Sequence, residues 1–311
     1  MGIIRGGDAE YNEDGPTFAE KTAKLEGTIR SCLQDDSSVL KLTGKYLAID
    51  EIQIISRSDQ VKTVKVLDLS DNQVTDEGLK TLFESENLAA LEELYLGVNY
   101  ITDQGLLEMA DSSTLALKNL RVLVLSDNKL TDASVSEFVK SQNFNKLEHL
   151  DVGWNEIGNG AAKALGETEQ MAGLKKLELE RGYIDGEGIT EFVKGRVIER
   201  LQELNLSANK LRDDDIKVLA STPKLSSLRV LRLSQNLIGD EGARAIGEST
   251  TLTNLTHLYI GRNSFGNAGA KAISETKTLK NLKVLMLREG VETTPDLVNY
   301  SRPELLRPED P

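Results

Sequence analysis

Apolar and polar positions along this chain follow one recurring string, L-x-x-L-x-L-x-x-N. It reads VKVLDLSDN to Asn72, LEELYLGVN to Asn99, LRVLVLSDN to Asn128 and LEHLDVGWN to Asn155. It continues as LKKLELERG to Gly182, LQELNLSAN to Asn209, LRVLRLSQN to Asn236, LTHLYIGRN to Asn263 and LKVLMLREG to Gly290. The landmarks are 27 residues apart, with one step of 29 whose two extra residues fall between Leu115 and Leu120. A period of this length marks a stacked array rather than separate domains.

Each unit opens on a period-two stretch. Leu67 and Leu69, Leu94 and Leu96, and Leu123 and Leu125 share one side, and the residues between them take the other. This alternation predicts a strand with one buried face. The terminal Asn can donate and accept, so it can tie one coil to the next through backbone groups. The following turns, such as QVTDEGL, KLTDASV and LIGDEGA, carry an Asp or Asn expected to be the helix N-cap. Apolar pairs three apart then predict a helix: Leu79 with Leu82, Leu106 with Met109, Val135 with Phe138, Ile189 with Phe192, Ile216 with Leu219 and Ala270 with Ile273. A further apolar anchor closes each unit, from Leu88 and Leu115 to Leu252 and Leu279. Strands stack about 4.8 Å apart and helices about 8–10 Å, so the stack must curve toward its strands. The expectation is an α/β curved solenoid, a horseshoe with parallel strands on the concave face and helices on the convex face.

The array is expected over residues 40–290, as one degenerate coil (LKLTGKYLAIDEI) and nine repeats. Residues 1–39 are read as an N-terminal arm and cap helix. There Thr17 and Glu20 form a capping box, and Phe18, Leu25, Ile29 and Cys32 lie near one face. Residues 291–311, with Pro295, Pro303, Pro308 and Pro311, are read as a C-terminal cap and tail.

Strings such as LRVLRLSQNLIGDEGARAIGES resemble the leucine-rich repeats of ribonuclease inhibitor, of innate-immune receptor sensor arms and of activators of Ran-type GTPases, in the bacterial style. The resemblance spans about residues 40–290 and implies a leucine-rich-repeat fold that recognises proteins on its concave face and loop edges. The chain has no P-loop of the kind an immune receptor of this class carries.

Net charge is −13, which disfavours nucleic acid and anionic membranes as partners unless a local basic patch exists. The single cysteine, Cys32, allows no intrachain disulfide and reads as a packing residue. No apolar run reaches membrane-spanning length, and the start lacks a secretory pattern. A cytoplasmic monomer is expected. His149 and His257 lie four repeats apart, about 19 Å by strand spacing, too far for one metal ion. Asp213, Asp214 and Asp215 read as first-turn acids of a helix rather than a cation site. No catalytic residue, cofactor or metal is expected.

Strand parity names the displayed side chains. The central row runs Asp68, Tyr95, Val124, Asp151, Glu178, Asn205, Arg232, Tyr259 and Met286. The row before it includes His149 and His257, and the position preceding the Asn carries Val98, Trp154, Arg181 and Arg262. The partner-binding surface is therefore assigned to Tyr95, Tyr100, Asp151, Trp154, Glu178, Arg181, Tyr183, Arg232, His257, Tyr259 and Arg262. Tyr, Trp and Arg are the usual interface anchors. Early coils offer Asp68, Asp71, Glu93, Asp127 and Asp151, later ones Arg232, Arg262 and Arg288, so the face should orient a dipolar partner. Gly182 interrupts the Asn series beside Arg181 and Tyr183; it reads either as a tolerated loss or as a loop able to deform around a ligand. The function expected is a non-catalytic protein-binding scaffold, with a regulator of a small GTPase as the alternative.

Overall fold

A computed structural model describes residues 15–287. Arg288, Gly290, the tail from residue 291 and the first 14 residues lie outside that range. Ten three-residue strands form one parallel sheet in chain order. They are β1 (Val39–Lys41), β2 (Val66–Asp68), β3 (Glu93–Tyr95), β4 (Val122–Val124), β5 (His149–Asp151), β6 (Lys176–Glu178), β7 (Glu203–Asn205), β8 (Val230–Arg232), β9 (His257–Tyr259) and β10 (Val284–Met286). Register is constant, so Leu67, Leu94, Leu123 and Leu150 pair in sequence and the outward residues form continuous rows. The middle leucine of each of these strands is buried and its neighbours are half-buried, as the alternation requires.

The first helix, α1 (Phe18–Cys32), covers the β1 end of the stack. Between successive strands run α2 (Ile49–Arg57), α3 (Asp76–Phe83), α4 (Asp103–Asp111), α5 (Asp132–Phe138), α6 (Asn159–Glu167), α7 (Gly186–Phe192), α8 (Asp213–Ser221), α9 (Asp240–Gly247) and α10 (Asn267–Ser274). Together they build a curved leucine-rich-repeat solenoid. The helix pairs expected to face inward are buried, as are the closing anchors. Because no single coil can enclose its own apolar side chains, one core runs continuously from Leu25 to Leu285.

Two local readings need correction. Phe18 does not join Leu25 and Ile29 inside; it begins the helix and is 45% exposed. The N-cap assignment is also displaced by one residue in most coils. Thr102 and Thr131 occupy the cap, and the adjoining Asp103 and Asp132 are the first helical residues. Those carboxylates serve the next coil instead. Asp76 accepts from the N–H and hydroxyl of Thr102, Asp103 from those of Thr131, and Asp132 from the N–H groups of Gly158, Gly160 and Ala161. Free N–H groups at a helix start favour a carboxylate. Here it arrives from the preceding repeat, and the lack of a side chain at Gly160 leaves it room.

The Asn series forms a second ladder. The Asn155 amide nitrogen donates to the carbonyls of Leu125 (2.9 Å), Val152 (3.1 Å) and Gly153 (3.0 Å), and its oxygen accepts from the N–H groups of Leu130 (3.0 Å) and Asn128 (3.2 Å). Asn72, Asn99, Asn209 and Asn236 repeat the arrangement, each bonding a strand carbonyl and a turn N–H of the coil before. Most buried polar side chains are bonded in this way.

Candidate functional site

The strands end after three residues, so strand parity alone does not aim the residue before each Asn. A left-handed backbone does. Asp71, Val98, Asp127, Trp154, Arg181, Ala208, Gln235 and Arg262 all have φ between 53° and 59°. For bulky or β-branched residues such as Trp154 and Val98 this conformation is costly, and in their coils the adjoining Asn155 and Asn99 hold it. The result is a turn edge whose side chains project outward from the sheet.

Apolar exposure concentrates on that edge. Among the described residues, the large hydrophobic side chains with substantial exposure are Phe18, Tyr46, Val98, Tyr100, Trp154, Tyr183 and Leu237. All but Phe18 either precede or follow the ladder position of their coil. Sequence reading found Tyr100, Trp154 and Tyr183 but missed Tyr46, which lies 27 residues before Gln73 and thus in the Tyr100 row. It also missed two of the three cations that ride on the rings, Lys129 and Lys210. The Arg181 guanidinium lies 4.1 Å from the Trp154 ring centre, Lys210 Nζ 4.9 Å from Tyr183 and Lys129 Nζ 5.1 Å from Tyr100. Each pair spans adjacent coils, which presents flat apolar and cationic surface together.

The remaining assigned residues except Arg262 fall on the concave strands. Tyr95 donates its hydroxyl to Glu93 at 2.7 Å, and burial with that carboxylate pushes the phenol up to about 12. Asp151 and Glu178 are register partners on β5 and β6. Burial, with Glu178 adding to it, pushes the Asp151 carboxyl up to about 6, although the Gly153 N–H donates to it at 2.9 Å. Glu178 pairs with Lys176 at 3.2 Å. Arg232 lies 5.1 Å from the Tyr259 ring centre, and Tyr259 stacks on His257 at 6.4 Å. Arg232 is also 3.7 Å from Glu203, so the basic end of the face is weaker than the Arg count predicts. Arg262 is exposed on the turn edge. The structure thus groups Trp154 with Arg181, Asp151 with Glu178, and Arg232 with Tyr259 and His257; Tyr95 and Tyr100 stand in the earlier coils.

Two enclosed polar atoms of this face, His149 Nε2 and Arg232 Nη1, lack a hydrogen-bond partner among the described residues. Burial, helped by Lys176, lowers the His149 ring to about 4 and keeps it neutral. Such atoms are uncommon inside proteins and mark places where an incoming group can bond. Among the described residues no cluster of three or more His, Cys, Asp or Glu side chains could hold a metal ion, and no helix is long and apolar enough to cross a membrane. Asp213 is spent on the N–H groups of Gly239 and Gly242, Asp214 pairs with Lys217, and Asp215 accepts from the Arg212 N–H.

The family described as Leucine Rich repeat matches residues 62–83, 116–139, 145–166, 224–247 and 251–274. No curated protein matches the sequence. Among solved structures, internalin C2 from Listeria monocytogenes is similar at 24% identity and a TM-score of 0.51, over 73% of this chain and 82% of that one. An internalin F from the same organism aligns at 21% identity and a TM-score of 0.38, over 86% of this chain and 95% of that one. The matched repeats, the single parallel sheet and the likeness to internalin C2 together give this chain the leucine-rich-repeat fold.

Proposed function

We propose that this chain is a non-catalytic scaffold for a protein partner, docking on the turn edge around Trp154 and on the adjoining concave strands. The observation that carries this is the segregation of exposed apolar side chains: Tyr46, Val98, Tyr100, Trp154, Tyr183 and Leu237 share one edge of the solenoid. Large exposed apolar side chains gathered on one edge and interspersed with charge are the usual mark of an interaction surface. Cations over Tyr100, Trp154 and Tyr183 hold the rings in fixed orientations, which lowers the ordering cost on binding. The concave side adds Asp151, Glu178, Arg232, His257 and Tyr259 as polar contacts. The early acids Asp68, Asp71 and Asp127 favour a partner whose basic side lies toward the first coils.

The test compares affinity capture by the full chain with capture by the Tyr100→Ala, Trp154→Ala, Tyr183→Ala variant. Ala208 already occupies the left-handed position of its own coil, so alanine is tolerated there. The expected result is a discrete set of proteins retained by the parent and lost from a variant with an unchanged circular dichroism spectrum. Retention of the same set by the variant would refute the assignment.

A further inference from the structure

We infer that the opposite edge of the sheet, where the strands begin, carries a second binding site: a basic groove for a short acidic segment of polypeptide. The residue before each strand forms a row from β2 to β10: Lys65, Glu92, Arg121, Glu148, Lys175, Gln202, Arg229, Thr256, Lys283. In its first half, cations and acids alternate and neutralise one another. Lys65 meets Glu92 at 2.8 Å, Arg121 meets Glu148 at 2.9 Å, and Lys175 meets Glu148 at 3.0 Å. In its second half the two acid places hold Gln202 and Thr256, so Arg229 and Lys283 lose their counter-charges.

The same stretch contains a groove of about 760 Å³ lined by Lys175, Arg200, Arg229, Lys280 and Lys283, with no acidic side chain in its wall. Among the described residues, Arg200, Arg229, Lys280 and Lys283 make no ion pair, and all four are exposed. The acids nearest Arg200 in sequence are occupied, Glu199 with Lys224 at 3.7 Å and Glu203 with Arg232 at 3.7 Å, and Glu275, nearest Lys280, pairs with Lys271 at 4.0 Å. Four unpaired cations in one groove of a chain with net charge −13 are a local reversal of sign. That reversal focuses field onto an anionic ligand.

The surroundings decide which anion fits. No aromatic side chain lines the groove, so nucleic-acid bases have nothing to stack on. A long polyanion continuing along the row would also meet Glu148 and Glu92 and the overall negative charge. A short acidic peptide escapes both. Lys175 to Lys283 spans four strand spacings, about 19 Å, which an extended segment of about six residues covers. This site is on the other side of the strands from Trp154 and does not depend on the role proposed for that edge.

The test uses the full chain and a fluorescein-labelled Glu-Gly repeat peptide of about ten residues, long enough to cross the groove. Fluorescence anisotropy should show saturable binding that weakens as salt rises from about 50 to about 200 mM. Arg229→Gln with Lys283→Gln should weaken it about tenfold. Lys65→Gln with Arg121→Gln removes the same charge from the paired half of the row and should leave it unchanged, as should Trp154→Ala. Equal losses from both double variants, absence of saturable binding, or tighter binding of an oligothymidine of equal charge would each overturn the inference.

Discussion

The coil containing β5 and the coil containing β6 differ in their polar fastening, although their leucines pair in register. In the β5 coil, Asn155 joins both ladder partners, and Asn159 and Asp185 exchange hydrogen bonds across to the next helix start. Thr168 caps the preceding coil by donating to the Val139 carbonyl at 2.6 Å. In the β6 coil all three places are glycine: Gly182, Gly186 and Gly195. The N–H of Ile157 therefore lacks the Asn oxygen that serves Leu130 and Ile184 in their coils. Arg212 must take its cap from its own helix, through Asp215 at 2.8 Å. The apolar core through Leu177 and Leu179 is complete, so fold is kept while polar fastening is relaxed. The relaxed coil bears Arg181 and Tyr183, beside Trp154. The strictest part of the repeat sets shape, and it loosens where the exposed edge is richest.

This contrast can be attacked in order of size. Leu150→Ala and Leu177→Ala should cost alike, about 2–5 kcal/mol each in denaturant unfolding, because the core does not distinguish the two coils. A much smaller loss at Leu177 would mean the β6 coil is already loose inside. Asn155→Ala should cost about 2–4 kcal/mol, since buried backbone groups on two coils lose their partner. Gly182→Ala should cost about 1 kcal/mol, because its new methyl would sit 2.9 Å from the Ile157 carbonyl oxygen. Equal costs for Asn155→Ala and Gly182→Ala would remove the proposed difference in fastening. Native-state hydrogen exchange gives the same comparison without mutation, and amides of α7 and its flanking turns should open at lower free energy than those of α5.

The next effect is a pH dependence. The Asp151 carboxyl lies at about 6 in the folded chain, above about 3.9 for an unfolded aspartate. Its stabilising contribution is full below the unfolded value and is lost as pH rises through about 6. Asp151→Asn keeps an acceptor for the Gly153 N–H, as Asn205 does for the Ser207 N–H at 3.0 Å. The variant should be more stable than the parent by about 1 kcal/mol at neutral pH, with the advantage fading toward pH 4. His149 acts with opposite sign, its ring being lowered to about 4, so the two proteins must be compared at each pH.

Most of the architecture was legible because a 27-residue period repeats the same constraint many times. Leu67, Leu123 and Leu204 could be assigned inward from alternation alone. What escaped the sequence were features with no local signature. Asp76 and Asp132 look like N-caps by residue type, yet their partners lie in the following coil, which one repeat read by itself does not contain. The left-handed turn at Val98 and Trp154 is invisible because no glycine marks it; the ladder around it pays the strain. The ring-stacked cations Lys129 and Lys210 occupy the same row as Tyr100 and Tyr183, one coil along, so the rows read across coils would have paired them. The leading-edge row from Lys65 to Lys283 lies one residue outside the strands, beyond the parity rule used to choose the binding face.

The most direct test of the turn edge is site-specific photo-cross-linking. A benzoylphenylalanine at position 154 and another at position 163, exposed on the convex helix α6, would be irradiated in extract of the cells that make the protein. Discrete adducts from position 154, absent from position 163, are the predicted result. Adducts of equal yield from both positions, or from 163 alone, would contradict it.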